Sequence, residues 1–110
     1  MTDQPLALRQ GTVDVLLLRT LSWGPMHGYA VSQWVARHSL GTLSVDDAAL
    51  YQGLHRLEER GWVKAEWGLS ENNRKARFYR MTALGRRQLL GKTAAWERYA
   101  GAVFRILRTV

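Results

Sequence analysis

The stretch from Leu50 to Leu84, which reads LYQGLHRLEERGWVKAEWGLSENNRKARFYRMTAL, constrains the fold of this chain more than any other. Three leucines recur at the spacing of a helix with one buried edge: Leu50, Leu54 and Leu57. Gly61 is the residue type expected just past a helix end. Residues 62–69 and 77–81 then alternate loosely, as two half-buried strands do, around a polar and basic turn. A helix followed by such a hairpin predicts a winged helix.

Two further helices are predicted before this stretch, with a flexible arm before them. Residues 1–10 show no clear hydrophobic period and contain Pro5, which favours an irregular arm. A first helix is predicted over residues 11–22, because its apolar residues fall on one face. The break Trp23–Pro25 ends this helix, since proline cannot continue it, and a second helix follows over residues 27–38.

The third and last helices begin at recognisable caps. Asp46 is predicted as the N-cap of the third helix, and Thr82 as the N-cap of a final helix that runs nearly to Val110. Seven residues of the final helix recur at alternating spacings of four and three, which is a coiled-coil-like seam. They are Leu89, Thr93, Trp96, Ala100, Val103, Leu107 and Val110.

This seam predicts a homodimer, because no further helix in the sequence can cover it. Val13 and Leu17 of the first helix are expected to pack against the partner's terminal helix, and Trp96 to fill the interface. The alternative is that the last helix folds back on its own domain. The predicted fold class is mainly α (α+β), a winged helix-turn-helix with a C-terminal dimerisation helix. Its parts are the arm over residues 1–10, the winged-helix domain over 11–82 and the dimerisation helix over 83–110.

The net charge of the chain restricts the kinds of partner that it is expected to bind. A net charge of +7 and a pI near 10.6 favour a polyanion, either nucleic acid or an anionic membrane surface. Most of the basic residues are arginine, whose guanidinium fork matches phosphate and guanine geometry. The longest apolar run, Val15–Leu18, is too short to span a bilayer, and the N-terminus lacks a signal-peptide pattern. A cytoplasmic protein without a membrane partner is expected.

The residue types exclude several kinds of chemistry. The absence of cysteine excludes disulfides, thiolate zinc sites and cysteine nucleophiles. His27 and His38 lie too far apart along one predicted helix to share an ion, and His55 lies on another helix, so no metal site is predicted. No Ser/His/acid pattern, glycine-rich phosphate loop or carboxylate pair occurs in a recognisable setting. The chain is therefore predicted not to be an enzyme, and no cofactor is expected.

Three segments resemble the PadR-type transcriptional regulators. GTVDVLLLRTLSWGPMHGYAVSQWV resembles the opening of that family, and LYQGLHRLEERGWV resembles its recognition helix. SENNRKARFYRMTALGRRQL resembles its wing and the start of its last helix. The short C-terminus is similar to the subclass with a single terminal helix. The resemblance implies a homodimeric winged-helix protein that binds inverted-repeat operators in double-stranded DNA, usually as a repressor of a neighbouring gene.

Two further expectations come from the family. In some members an aromatic residue of the terminal helix stacks planar drugs in the dimer cavity, which would make Trp96 a contact for a small-molecule effector. This sequence also departs from the family, with Ala48-Ala49 in place of Gly-Ser or Gly-Thr and Gln52-Gly53 in place of Pro-Ala. These departures, together with Asp46 and Asp47, would suit an alternative function, a winged-helix protein-interaction module that has lost operator binding.

The third helix carries the first group of candidate DNA contacts. Tyr51 is expected to place its hydroxyl on a phosphate, as the family's Leu-Tyr pair implies, or else to pack against the wing. Gln52, His55 and Arg56 lie beyond the leucine edge, where glutamine can pair with adenine, and arginine with guanine or phosphate. The alternative is a solvated helix face with an ion pair such as Arg56 to Glu59.

The hairpin turn and the start of the second helix carry the remaining candidates. The predicted wing contacts, to phosphate or the minor groove, are Asn73, Arg74, Lys75 and Arg77. At the second helix, His27 and Tyr29 flank Gly28, and a helix N-terminus can hold a phosphate through its free N–H groups. The alternative there is a close packing contact that requires the glycine.

Overall fold

The computed structural model describes residues 8–110, and these form four helices and three strands. In chain order the elements are α1 Gln10–Leu21, β1 Met26–His27, α2 Gly28–His38, α3 Asp47–Glu59, β2 Val63–Leu69, β3 Lys75–Met81 and α4 Ala83–Leu107. The predicted winged-helix fold class is confirmed. Most of the predicted arm lies outside the described residues. Leu8 packs against the core and α1 begins at Gln10, so this end of the arm is already part of the domain.

The core lies where α1, α2 and α3 meet. Its fully buried side chains include Leu17 and Leu18 of α1, Val31 of α2, and Leu54 and Leu57 of α3. Burying one such leucine is worth about 1.5–3 kcal/mol, so this cluster is the main source of stability. The leucine edge predicted for α3 is therefore confirmed as its core-facing side.

The three strands form an antiparallel sheet in the order β1-β3-β2. The hairpin of β2 and β3 was expected, but the two-residue strand β1 was not. Met26 pairs with Tyr79 and His27 with Phe78, immediately after the Pro25 break. A pair of bridging residues carries no periodicity, which is why sequence patterning does not reveal it. This short strand ties the start of α2 to the base of the hairpin.

Local capping explains where the helices begin. The Asp46 carboxylate accepts a hydrogen bond from the Ala49 N–H at 2.8 Å, and the Thr82 hydroxyl accepts one from the Gly85 N–H at 3.1 Å, as predicted. The imidazole Nδ1 of His27 caps α2 by accepting from the Ala30 N–H at 3.3 Å. Gly61 adopts a φ of +75°, the left-handed conformation that ends α3.

The start of α4 docks against the end of the hairpin, and the following turns of the helix run beside α1. The Thr82 N–H donates to the Trp62 carbonyl at 3.0 Å, and a Cβ at position 85 would lie only 2.1 Å from that oxygen, so only glycine fits. Beyond Leu89 no residue of α4 is buried. Among residues 8–110, no helix is long and apolar enough to cross a membrane.

Candidate nucleic-acid interface

The surface of α3 opposite its leucine edge is exposed and polar. Tyr51, Gln52, His55 and Glu59 are all exposed along this surface, at spacings that place them on one side of the helix. The structure thus brings three of the four predicted α3 contacts together. Gln52 offers an amide that can pair with adenine, and a glutamate can accept a hydrogen bond from cytosine. The His55 imidazole is paired with the Glu59 carboxylate one turn further along.

Arg56 does not join this exposed surface. Its Nη2 donates to Asp14 Oδ1 at 2.6 Å and its Nε to Asp14 Oδ2 at 3.4 Å. Asp14 is buried in α1, and it also accepts from Arg60 Nη1 at 3.5 Å. Arg56 is therefore bound within the protein by α1, rather than by Glu59 or by an open solvent face. Asp14 carried no distinguishing signal in the sequence, because its partners lie 42 and 46 residues away.

Gly53 explains how α1 and α3 come so close. A Cβ at this position would lie 2.7 Å from Leu17 Cδ1 and 3.1 Å from Val13 Cγ1. The glycine therefore permits helix packing, although it lowers helix propensity. The same packing corrects one expectation: Val13 and Leu17 are 2% and 0% exposed in their own chain, so they have no surface to offer a partner.

Tyr51 also covers the start of α2. A Cβ added to Gly28 would lie 2.9 Å from the Tyr51 hydroxyl oxygen and equally close to its ring. Gly28 is thus needed for close packing, while half of the Tyr51 side chain remains exposed. Tyr29 is exposed beside it, but His27 is used as the cap of α2 and in an edge contact with Phe78 at 5.6 Å between ring centroids.

The hairpin turn carries basic side chains that, unlike Arg56 of α3, are not paired with carboxylates among residues 8–110. Asn73 adopts a φ of 57°, and the Ser70 N–H donates to the Arg74 carbonyl at 2.8 Å, which closes a tight turn. Arg74 and Lys75 are exposed, and neither belongs to an ion pair within the described part of the chain. Arg77, in contrast, donates to Glu58 of α3 at 2.8 Å.

Tyr79 joins the hairpin to α3 at the base of the wing. It is only 6% exposed, and burial raises the pKa of its hydroxyl above the ordinary value of 10.0. The Arg77 guanidinium opposes this rise in pKa, whereas Glu58 and Tyr51 add to it. The phenol is therefore neutral. The Arg77 guanidinium lies 5.8 Å from the centre of the Tyr79 ring and donates to Glu58, so Tyr79, Arg77 and Glu58 join the hairpin to α3.

The predicted seam of α4 divides into a buried start and an exposed remainder. Leu89 is buried against its own domain, so it belongs to the core rather than to a partner surface. The seam residues beyond it are exposed or half-buried: Thr93, Trp96, Ala100, Val103, Leu107 and Val110. Trp96 makes an edge contact with Tyr99, at 5.6 Å between ring centroids. No cluster of three potential metal ligands occurs within residues 8–110.

Known proteins share this architecture. The model of the transcriptional regulator PadR-like family matches residues 17–90. A solved transcriptional regulator from Clostridium thermocellum is 25% identical, with a TM-score of 0.81 over 90% of this chain and 96% of that one. A PadR family transcriptional regulator from Eggerthella lenta is 30% identical, with a TM-score of 0.76 over 92% of this chain and 86% of that one. An uncharacterized protein X from Lysinibacillus sphaericus is 28% identical over 87 residues, 79% of this chain and 80% of its own length.

Proposed function

Because this chain belongs to the PadR-like family of transcriptional regulators, we propose that it binds an inverted-repeat operator in double-stranded DNA as a homodimer and represses the adjoining promoter. The observation that carries this proposal is the pairing of an exposed polar surface on α3 with two exposed, unpaired cations at the hairpin turn, Arg74 and Lys75. Membership of this family supports a role in DNA-binding transcriptional regulation. We propose in addition that the protein represses transcription, that it forms a homodimer and that its operator is an inverted repeat.

In this proposal α3 enters the major groove and the hairpin follows the flanking backbone. Gln52 and His55 face the base edges, and the Tyr51 hydroxyl contacts a phosphate beside the start of α2. Arg74 and Lys75 contact phosphates next to the adjacent minor groove, with Asn73 shaping the turn that presents them. Arg56 orients α3 through Asp14 and does not read a base.

The dimer is supported by the exposed apolar part of α4. Val103 is 37% exposed and Leu107 is 71% exposed on the predicted seam, and no element of the described chain covers them. A second copy packed along this seam would place two α3 helices about 34 Å apart, one turn of DNA. Trp96 would then fill the interface, where a planar effector could also bind.

The dimer has its own test. Val103→Asp and Leu107→Asp together would place two carboxylates in the seam and are expected to give a monomer by sedimentation velocity. Ile106→Asp is the matched control, because Ile106 is equally apolar and 72% exposed but lies off the seam. A double variant that sediments as wild type would overturn this arrangement.

Operator binding is tested by gel shift on the promoter DNA adjoining the protein's own gene, with excess unrelated DNA as competitor. A discrete complex is expected for the wild type. Gln52→Ala should weaken it about 5- to 150-fold, as loss of one bidentate base contact does, while Arg98→Ala on the exposed part of α4 should leave it unchanged. No complex on that promoter and none in a pool selected from the whole genome would contradict the proposal.

A protein-interaction module is the second candidate, and one observation favours it. Both basic side chains of α3, His55 and Arg56, are paired with carboxylates of the same chain. A helix that had lost operator binding could tolerate these pairings. Such a module would bind its partner with little dependence on salt and would be insensitive to loss of Arg74 and Lys75, whereas a DNA-binding protein would not.

A further inference from the structure

One face of the hairpin carries an exposed indole that the core does not use. The register pairs Ala65 with Tyr79, Trp67 with Arg77 and Leu69 with Lys75. Because directly paired residues point to the same side of a sheet, these six side chains share one face. At its base this face is closed by the buried Tyr79, and towards the turn it opens to solvent.

Trp67 and Leu69 lie at the open end of this face. They are 64% and 66% exposed, so neither is held by packing within the described chain. The ammonium group of Lys75 lies 5.0 Å from the centre of the Trp67 ring, a cation–π contact that positions both side chains. Trp67 and Leu69 thus form an exposed apolar patch beside an ammonium group that has no acidic partner in the described chain.

The face is continuous with the proposed DNA-binding surface of α3. Arg77, directly opposite Trp67, donates to Glu58 of α3, and its guanidinium lies 5.8 Å from the centre of the Tyr79 ring on the same face. Trp67 therefore lies on the side of the wing that adjoins the recognition helix, between that helix and the cations of the turn.

We propose that Trp67, supported by Leu69, is an apolar DNA contact that packs against the deoxyribose wall of the minor groove flanking the α3 site. This inference rests on the proposed function and adds a non-electrostatic contact to it. The Lys75 ammonium would cover one surface of the indole ring and also contact a phosphate. The other surface of the ring would pack against the carbon atoms of the sugars. Proteins that bind the minor groove commonly combine cationic side chains with apolar ones.

A purely structural role predicts a different outcome. If Trp67 served only to hold Lys75 in place, its loss would act through the Lys75–phosphate contact and would flatten the salt dependence of binding. A direct contact with sugars releases no counterions, so its loss lowers affinity without changing that slope. The two roles are therefore separated by a plot of log affinity against log salt concentration.

The experiment compares four variants by fluorescence anisotropy on labelled operator DNA across a salt series, using the full chain. Trp67→Ala should lose about tenfold or more in affinity, on the scale of aromatic contacts to nucleic acid, with the wild-type slope. Trp67→Phe, which keeps a ring, should retain most of the affinity. Lys75→Ala should flatten the slope by about 0.9, the value for one phosphate contact.

Trp23→Ala is the matched control. Trp23 is 65% exposed and also lies beneath a cation, with Arg19 at 5.2 Å from its ring centre, but it lies outside the hairpin. This variant should bind as wild type. Circular dichroism establishes that each variant is folded. The tryptophan fluorescence of Trp67 is the difference in emission between wild type and Trp67→Phe, and it should change when operator DNA is added.

The outcomes separate this inference from the proposed function. If wild-type protein binds the operator and Trp67→Ala binds equally well, the inference is overturned and the function stands. If Trp67→Ala flattens the slope as Lys75→Ala does, Trp67 only positions the lysine and the inference is again overturned. If wild-type protein shows no salt-dependent binding to any DNA, the proposed function fails, and the Trp67 contact fails with it.

Discussion

Helix α3 and the hairpin turn differ in whether their basic side chains are paired with carboxylates. On α3 the one arginine, Arg56, is paired with Asp14, and the His55 imidazole contacts the Glu59 carboxylate. At the turn, Arg74 and Lys75 have no acidic partner among residues 8–110. The difference supports our proposal of a division of labour, in which neutral polar groups of α3 would select the DNA sequence and the exposed cations of the wing would supply electrostatic affinity.

The largest expected effect comes from removing the charge that binds Arg56. Asp14→Asn would leave the half-buried Arg56 without its counter-ion, and we expect a loss of about 2 kcal/mol in the free energy of unfolding, below the full cost for a completely buried pair. Urea denaturation measures this loss. Asp47→Asn is the control, because that carboxylate is exposed in the first turn of α3 and contributes only about 0.3–1 kcal/mol.

The Asp14→Asn variant also tests whether Arg56 can contact DNA when it is not paired. Once released from Asp14, Arg56 can extend towards DNA, so the salt dependence of binding should become steeper by about 0.9 if it gains one phosphate contact. A loss of stability alone cannot steepen that slope. An unchanged slope in folded Asp14→Asn protein would show that Arg56 lies out of reach of the DNA, and the pairing would then serve stability only.

A smaller effect is expected from filling the space between α1 and α3. Gly53→Ala would force its methyl group against Leu17, at a cost of about 1–3 kcal/mol, partly offset by a gain of about 1 kcal/mol in helix propensity. We expect a net loss of about 1 kcal/mol by thermal denaturation. Gly91→Ala is the matched control on α4, where no atom lies within 4 Å of the added Cβ and the substitution should stabilise. Stabilisation by both would contradict the close packing.

The smallest expected effect concerns Tyr79 at the base of the wing. Burial raises its pKa in the folded state above 10.0, so the phenol ionises more readily in the unfolded chain. Its contribution to stability is therefore complete below pH 10 and is lost as the pH rises through the folded-state pKa. Tyr79→Phe should make the loss of stability above pH 10 shallower in urea titrations, and an equally steep loss would contradict the assignment.

The sequence predicted the elements of this fold because each has a local signal. The leucine spacing of α3 and the caps Asp46, Thr82 and Gly61 all depend on neighbours within a few residues. The contacts that define the candidate site do not. Asp14 meets Arg56 across 42 residues, and Gly53 is explained only by the side chains of α1.

The same distinction explains the errors at α1 and α4. Val13 and Leu17 have the apolar character of an interface, but apolar character cannot distinguish a partner from the chain's own core. Leu89 follows the seam period and yet is buried against the domain, where α4 runs beside Val15 and Leu16 of α1. Periodicity identifies a buried face, and only the tertiary structure identifies what buries it.

The most direct test of the division of labour is the salt dependence of operator binding in two variants. Arg74→Ala with Lys75→Ala should flatten the slope of log affinity against log salt by about 1.8, the value for two phosphate contacts. Arg56→Gln, measured on the same operator, should keep the wild-type slope because that arginine is already paired with Asp14. A flattened slope for Arg56→Gln, or an unchanged slope for the double variant, would contradict the account.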